Sequence, residues 1–190
     1  AVPTVKIVEE DDKKKIVPEG YAILDGGFKG YIEADLARGY NLLTKKPAGS
    51  MINIQTEEGR SASMLLENST IESSFVFENG RLINININVR LETDVFDAGK
   101  LPDIKKEKVM REAEAKQSDV IYKEVKGVID FAQECGSDFL EIGKHLCLQH
   151  PYRWAEVEDD WPDIFKEVNV NVEVNTKTQH TFDMISLGKK

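Results

Sequence analysis

Apolar and polar residues alternate without a break in two stretches of this chain, and a helical apolar rhythm runs between them. In the first stretch Ile83, Ile85, Ile87, Val89 and Leu91 interleave with Asn84, Asn86, Asn88, Arg90 and Glu92. In the last, Val168, Val170, Val172 and Val174 interleave with Asn169, Asn171, Glu173 and Asn175, and Phe182 and Met184 keep the same parity. A period of two puts alternate side chains on opposite faces of a strand, so each stretch predicts one core face and one wet face. This pattern implies an antiparallel sheet covered on one side. Between them Val109, Ala113, Val120, Val125, Val128 and Ala132 share one stripe, which predicts a long helix reaching about Glu134 and well placed to cover that sheet.

Turn and cap chemistry punctuates the rest. Residues 1–17 carry Glu9, Glu10, Asp11 and Asp12 followed by Lys13, Lys14 and Lys15, with few apolar residues, and read as a tether preceding a domain at 18–190. Tyr21–Leu24 and Phe28–Ile32 flank Asp25-Gly26-Gly27, a hairpin signal. Leu36, Tyr40 and Leu43 fall at helical spacing before Pro47 and Gly49, predicting a short amphipathic helix. Residues 50–96 read as a strand meander turned by Glu57-Glu58-Gly59 and by Asn79-Gly80, whose residues both accept a left-handed backbone. Gly136 ends the long helix, Ser137 or Asp138 caps the next, and Phe139, Ile142, Leu146 and Cys147 give that helix its apolar side until Pro151. Trp154, Trp161, Pro162 and Phe165 sit in a short acidic helical segment. The expected class is α+β, an antiparallel sheet packed on one face by a long helix, with additional short helices.

Composition narrows the partners. The chain has 190 residues, 41% hydrophobic and 31% charged, with a net charge of -9, enough apolar content for one core. An acidic surface repels phosphate backbones, and Lys13-Lys14-Lys15 and Lys45-Lys46 are too short for a basic footprint, so nucleic acid is disfavoured. No run approaches the roughly 18 apolar residues of a membrane helix. Cys135 and Cys147 show neither a CxxC nor a zinc spacing and read as buried free thiols rather than a disulfide.

Candidate chemistry is sparse. His145, His150 and His180 are the proton shuttles available near neutral pH, and none has a sequence neighbour that makes a catalytic group. Glu141 and His145, four apart, read as a surface helix pair rather than metal ligands. Ser61, Ser63, Ser73 and Ser74 lie in strands without a nucleophile elbow. Gly26, Gly27 and Gly30 lack phosphate-loop order and read as a hairpin turn. Glu156, Glu158, Asp159, Asp160 and Asp163 lack calcium-loop spacing and read as a solvated face. Trp154 and Trp161 are read as packing anchors ahead of a stacking platform. No catalytic residue, metal ligand or cofactor site is assigned.

Two blocks carry a family resemblance. Gly30-Tyr31-Ile32 with Asp35-Leu36-Ala37-Arg38-Gly39-Tyr40 looks like a Gly-Trp-Leu element followed by Arg-Gly. Asp138-Phe139-Leu140-Glu141-Ile142-Gly143, then Pro151, Trp154, Trp161, Phe165 and the terminal valine alternation, is similar to the C-terminal signature of the Ger(x)C spore-germination receptor C subunits. The order agrees over about residues 18–188; Tyr31 stands where the family commonly has Trp, and Leu187-Gly188 matches only loosely. The resemblance implies an α+β domain of a lipoprotein at the outer face of the spore inner membrane, working with integral-membrane A and B subunits. Its lipid anchor would lie outside these residues, since Cys135 and Cys147 are deep in the domain. It makes Trp154, Trp161 and Arg38 candidate interaction residues.

Three functions follow as expectations. The first is a non-catalytic interaction domain in receptor assembly and signalling. The second is recognition of a small germinant in a cleft near the tryptophans. The third, a hydrolase, requires a histidine set against Ser or Cys in a pocket.

Overall fold

The computed structural model describes residues 1–10, 13–45, 47–55, 61–98 and 106–181. The turn at Glu57-Glu58-Gly59, Lys46, Pro102, Phe182, Met184 and Leu187-Gly188 lie outside the described residues. Two sheets and five helices follow one another as β1 (Val2–Glu10), β2 (Lys13–Leu24), β3 (Phe28–Glu33), α1 (Ala37–Lys45), β4 (Met51–Gln55), β5 (Ser61–Glu78), β6 (Arg81–Asp97), α2 (Glu107–Cys135), α3 (Ile142–Gln149), α4 (Pro151–Val157), α5 (Trp161–Glu167) and β7 (Asn169–Thr181). The α+β class expected from the alternation holds.

The larger sheet has the order β4-β5-β6-β7. Asn79 (φ 49°) and Gly80 (φ 81°) are both left-handed, so the β5–β6 turn forms where Asn-Gly predicted it. On β6 the inner face holds Ile85, Ile87, Val89 and Leu91, all buried, while Ile83 at the strand's start is 44% exposed. Pairing of β4 with β5 and of β5 with β6 is antiparallel. The last strand departs from an all-antiparallel sheet, because β7 pairs with β6 in parallel, from Asn84↔Asn169 to Val95↔Thr181. A parallel return needs a long crossover, and the helices α2–α5 supply it.

α2 covers the inner face through Ala113, Gln117, Ile121, Val125, Val128, Ile129 and Ala132. Burying each large aliphatic side chain there stabilises the fold by about 1.5–3 kcal/mol. Gly136 ends α2 in a left-handed conformation (φ 59°), its N–H bonded to Gln133 O and that of Ser137 to Ala132 O. Of the stripe expected on α1, Tyr40 is buried, but Leu42 at 1% exposure rather than Leu43 is its deepest residue.

Residues 1–17 are corrected in local structure. Where a tether was expected, β1 pairs with β2 in an antiparallel ladder that sets Glu9 opposite Lys14 and Glu10 opposite Lys13. The run of acids followed by bases is the two limbs of a hairpin, with ion pairs Lys14–Glu9 (3.6 Å) and Lys15–Glu10 (2.5 Å). With β3 this makes a three-stranded sheet whose Ile23 and Ile32 join the core.

Candidate functional site

A single carboxylate organises the corner between α2 and the tryptophan segment. Gly136 turns the chain, and Asp138 then accepts hydrogen bonds from the backbone N–H of Ile142 (2.8 Å, on Oδ1) and Gly143 (2.6 Å, on Oδ2). Those N–H groups open α3 and have no helical acceptor of their own, so Asp138 does the work of a cap. Its Oδ2 also accepts the indole N–H of Trp161 at 2.9 Å. Burial lifts the Asp138 carboxyl above the ordinary range, outweighing the three N–H donors and the nearby His145, which pull the other way. One residue earlier, Ser137 donates its hydroxyl to Asp25 Oδ2 at 2.7 Å, tying the corner to the β2–β3 turn.

The indoles are fixed by the same corner. Trp161 is 6% exposed and stacks on buried Phe165, with ring centres 5.7 Å apart and planes at 29°. Trp154 meets Trp161 edge-on at 5.5 Å and is half-buried. A Cβ on Gly143 would stand 2.7 Å from Trp161 Nε1 and 2.9 Å from Trp154 Cη2, so the space above α3 belongs to the two rings. The packing role read from the sequence therefore describes Trp161, whereas Trp154 keeps an open edge. That edge lines a cleft of about 550 Å³ with Asp138, Phe139, Lys144 and Leu24.

Arg38 lies elsewhere. Its Nε donates to Glu124 Oε2 at 2.8 Å and its Nη2 to Oε1, while Nη1 donates to the Met51 carbonyl. The guanidinium so clips α1 to α2 and β4, and neighbouring Gly39 sits where a Cβ would lie 2.5 Å from the Glu124 carbonyl oxygen. The structure brings Trp154 and Trp161 together and leaves Arg38 apart from them.

The histidines divide. His145 Nδ1 lies 3.2 Å from Ser73 Oγ, and Gln149 Nε2 reaches the Ser73 carbonyl (3.0 Å) and hydroxyl (3.4 Å). Both helix residues come from α3, which here lies along β5 beyond the reach of the short strand β4. This contact was missed in the sequence because the partners are 72 residues apart. Glu141, expected to pair with His145, bonds Lys144 instead at 2.7 Å, and that ammonium holds its carboxyl below the usual range. The His145–Ser73 contact lines a groove of about 1230 Å³ with Tyr122, Lys126, Leu148 and Gln149. His150 sets its ring edge to Phe75 and Phe77, and the side chain of His180 lies outside the described residues.

A serine beside a histidine in a groove is the arrangement the hydrolase expectation requires, so that expectation meets its first condition. Ser73 nevertheless sits in a plain strand position without positive φ, and its hydroxyl is shared with an amide donor. No third group orients the His145 ring among the contacts of the described residues. Both cysteines are free and half-buried. Among the described residues no three His, Cys, Asp or Glu side chains are placed to hold a metal ion, and no helix is long and apolar enough to cross a membrane.

The chain matches the model of the spore germination B3/GerAC-like, C-terminal family over residues 19–181. It belongs to that family. The GerAC-like fold is also seen in the crystal structure of the GerBC protein, which superposes with a TM-score of 0.74 at 20% sequence identity, over 93% of this chain and 56% of that one. No curated protein matches the sequence. The resemblance read from the residue pattern is thereby confirmed at the level of the germinant-receptor C-subunit family. In this chain the Asp138–Gly143 block forms the cap and the tryptophan seat just described, and Arg38-Gly39 forms the α1 clip.

Proposed function

We propose that this domain is a non-catalytic module of a germinant-receptor C subunit that acts in receptor assembly and signalling beside the A and B membrane subunits. Its site is the outer surface of α3 and α4. The observation that carries this reading is a pair of apolar side chains left in water there: Leu148 of α3 is 74% exposed at the groove it shares with His145, and Tyr152 of α4 is 89% exposed. Exposed aromatic and aliphatic anchors on a rigid support suit a protein partner. Trp161 enters the reading as a residue that holds the surface in place from within, and Arg38 as a clip of α1 to α2 and β4 away from it. The test is co-purification of the A and B subunits with the complete gene product, in which Leu148→Ser and Tyr152→Ser weaken the complex without lowering protein level. The lipid anchor and the outer face of the spore inner membrane belong to this proposal, resting on family membership alone.

A second reading has its own observation. The 550 Å³ cleft lined by Trp154, Asp138, Phe139 and Lys144 combines aromatic walls with both charge signs, as a small zwitterionic germinant would need. A nutrient that binds the native state raises Tm by mass action, and a panel of germinants that leaves Tm unmoved at millimolar concentration removes this reading.

A further inference from the structure

The three-stranded sheet leaves one face bare. Val2 pairs directly with Ala22, and Ala22 with Tyr31, so these three form a row across the strands. Leu24 and its partner Phe28 extend the row on the same side. Val2 is 49% exposed, Leu24 56%, Phe28 58% and Tyr31 61%, and Phe28 and Tyr31 touch edge to face at 4.9 Å. The opposite side of the sheet is committed to the core through Ile23 and Ile32. Beyond a bulge at Thr4/Val5 the hairpin continues outward, and alternation along β1 keeps Thr4 and Lys6 on the Val2 side while Val5, Ile7 and Ile16, 62%, 66% and 72% exposed, stand on the hairpin's other face. A recess of about 610 Å³ at its foot, lined by Thr4, Lys6, Glu19, Tyr31, Glu33 and Asp35, gives this apolar surface a charged rim. An apolar row with a polar rim, on an arm that exposes apolar side chains on its other face too and whose outer strand edge has no partner among the described residues, is the anatomy of a covered surface.

Two observations identify the cover. The stretch matched to the family begins at residue 19, so β1 and the first half of β2 lie just outside it. Close to half of the GerBC chain has no counterpart here, since this chain spans 56% of it. We infer that the β1–β2 arm and the outer face of the three-stranded sheet are an interdomain surface, covered in the complete gene product by chain N-terminal to Ala1. The occupant is a folded segment of the same polypeptide carrying an apolar patch. The inference rests on the C-subunit reading for the existence of that segment, not for the surface itself.

Hydrogen exchange compares the complete gene product with the 190-residue chain. The expected result is exchange at least about tenfold slower across Val2–Glu10 and Leu24–Tyr31 in the complete product, with β5 and β6 unchanged between the two. Leu24→Lys with Tyr31→Lys, both on exposed positions, returns the arm to the faster rate in the complete product while leaving the Tm of the 190-residue chain within a degree or two of wild type. Equal exchange in the two proteins overturns the inference. So does slowing in the 190-residue chain that grows with its concentration, which assigns the surface to a second copy, or slowing that appears only when A and B subunits are present. Normal germination and absent co-purification with a protected arm would sink the receptor reading while leaving this surface standing.

Discussion

Replacing Asp138 by Ala removes one carboxylate and leaves three donors without their acceptor: the N–H groups of Ile142 and Gly143 and the indole N–H of Trp161. The first two open a helix, and losing such a cap costs about 0.5–2 kcal/mol. The third belongs to a ring that is 6% exposed, where an unmade hydrogen bond costs about 1–3 kcal/mol. Against this stands relief of the buried charge that lifts the Asp138 pKa. The net expectation is a loss of about 2 kcal/mol, or about 4–8 °C in Tm for a chain of this size. Linkage gives a second, sharper signature. A carboxyl whose folded pKa is raised contributes stability that is fully present below its unfolded value and is lost as pH rises through the folded one. The Tm gap between wild type and Asp138→Ala is therefore widest in acid, below the ordinary value of 3.8, and narrows as pH climbs through the raised value. Thermal unfolding by circular dichroism at several pH values measures both. A Trp161→Phe cycle with Asp138→Ala adds a coupling of about 0.5–3 kcal/mol. A Tm unchanged by Asp138→Ala, or a gap that widens toward neutral pH, would show that Asp138 does not cap α3 and seat Trp161 as described.

Other expectations follow from the same packing. Gly143→Ala gains about 1 kcal/mol of helix propensity yet sets its Cβ 2.7 Å from Trp161 Nε1, so overpacking of about 1–3 kcal/mol wins and Tm falls; a rise in Tm contradicts the seat assigned to the rings. Arg38→Ala frees Glu124 and the Met51 carbonyl and costs about 2 kcal/mol by urea unfolding, whereas Lys at the same place recovers only part, because the forked contact to Glu124 is lost. Ile121→Ala empties a site with 0% exposure at the middle of α2 and costs about 2–5 kcal/mol, the largest loss in this set. Ser73→Ala in the complete gene product leaves germination at the wild-type rate with protein level unchanged; abolished germination at normal level would turn the His145 contact into a catalytic one.

Much of the fold was legible because its signals are local. Alternation along residues 83–91 and 168–174 marks buried and wet faces whatever the neighbour, and Asn79-Gly80 marks its turn by backbone chemistry. The direction of β7 was not legible, since a strand with one wet face alternates alike in parallel and antiparallel company. The hairpin at residues 1–17 escaped for the opposite reason. Its Val5, Ile7 and Ile16 stay exposed, so no burial period appears, and its one visible signal was electrostatic, acids at Glu9 and Glu10 mirrored by Lys13 and Lys14. At the corner, a cap was foreseen at Ser137 or Asp138, of which Asp138 takes the role, and the tryptophans were foreseen as packing anchors. Their shared hydrogen bond spans 23 residues, and no periodicity reports it. The Ser73–His145 contact arises from the docking of α3 on β5, a tertiary property that side-chain spacing does not encode.

If the α3–α4 surface meets the rest of the receptor as proposed, removing its exposed anchors releases the membrane subunits. Pull-down of the A and B subunits from spores with the complete gene product, wild type against Leu148→Ser/Tyr152→Ser, tests it most directly. Both side chains are exposed, so protein level and Tm are expected to match wild type. Recovery of A and B is expected to fall at least about tenfold, a loss of about 1.4 kcal/mol or more at a two-residue hot spot. Full recovery with normal germination would contradict it.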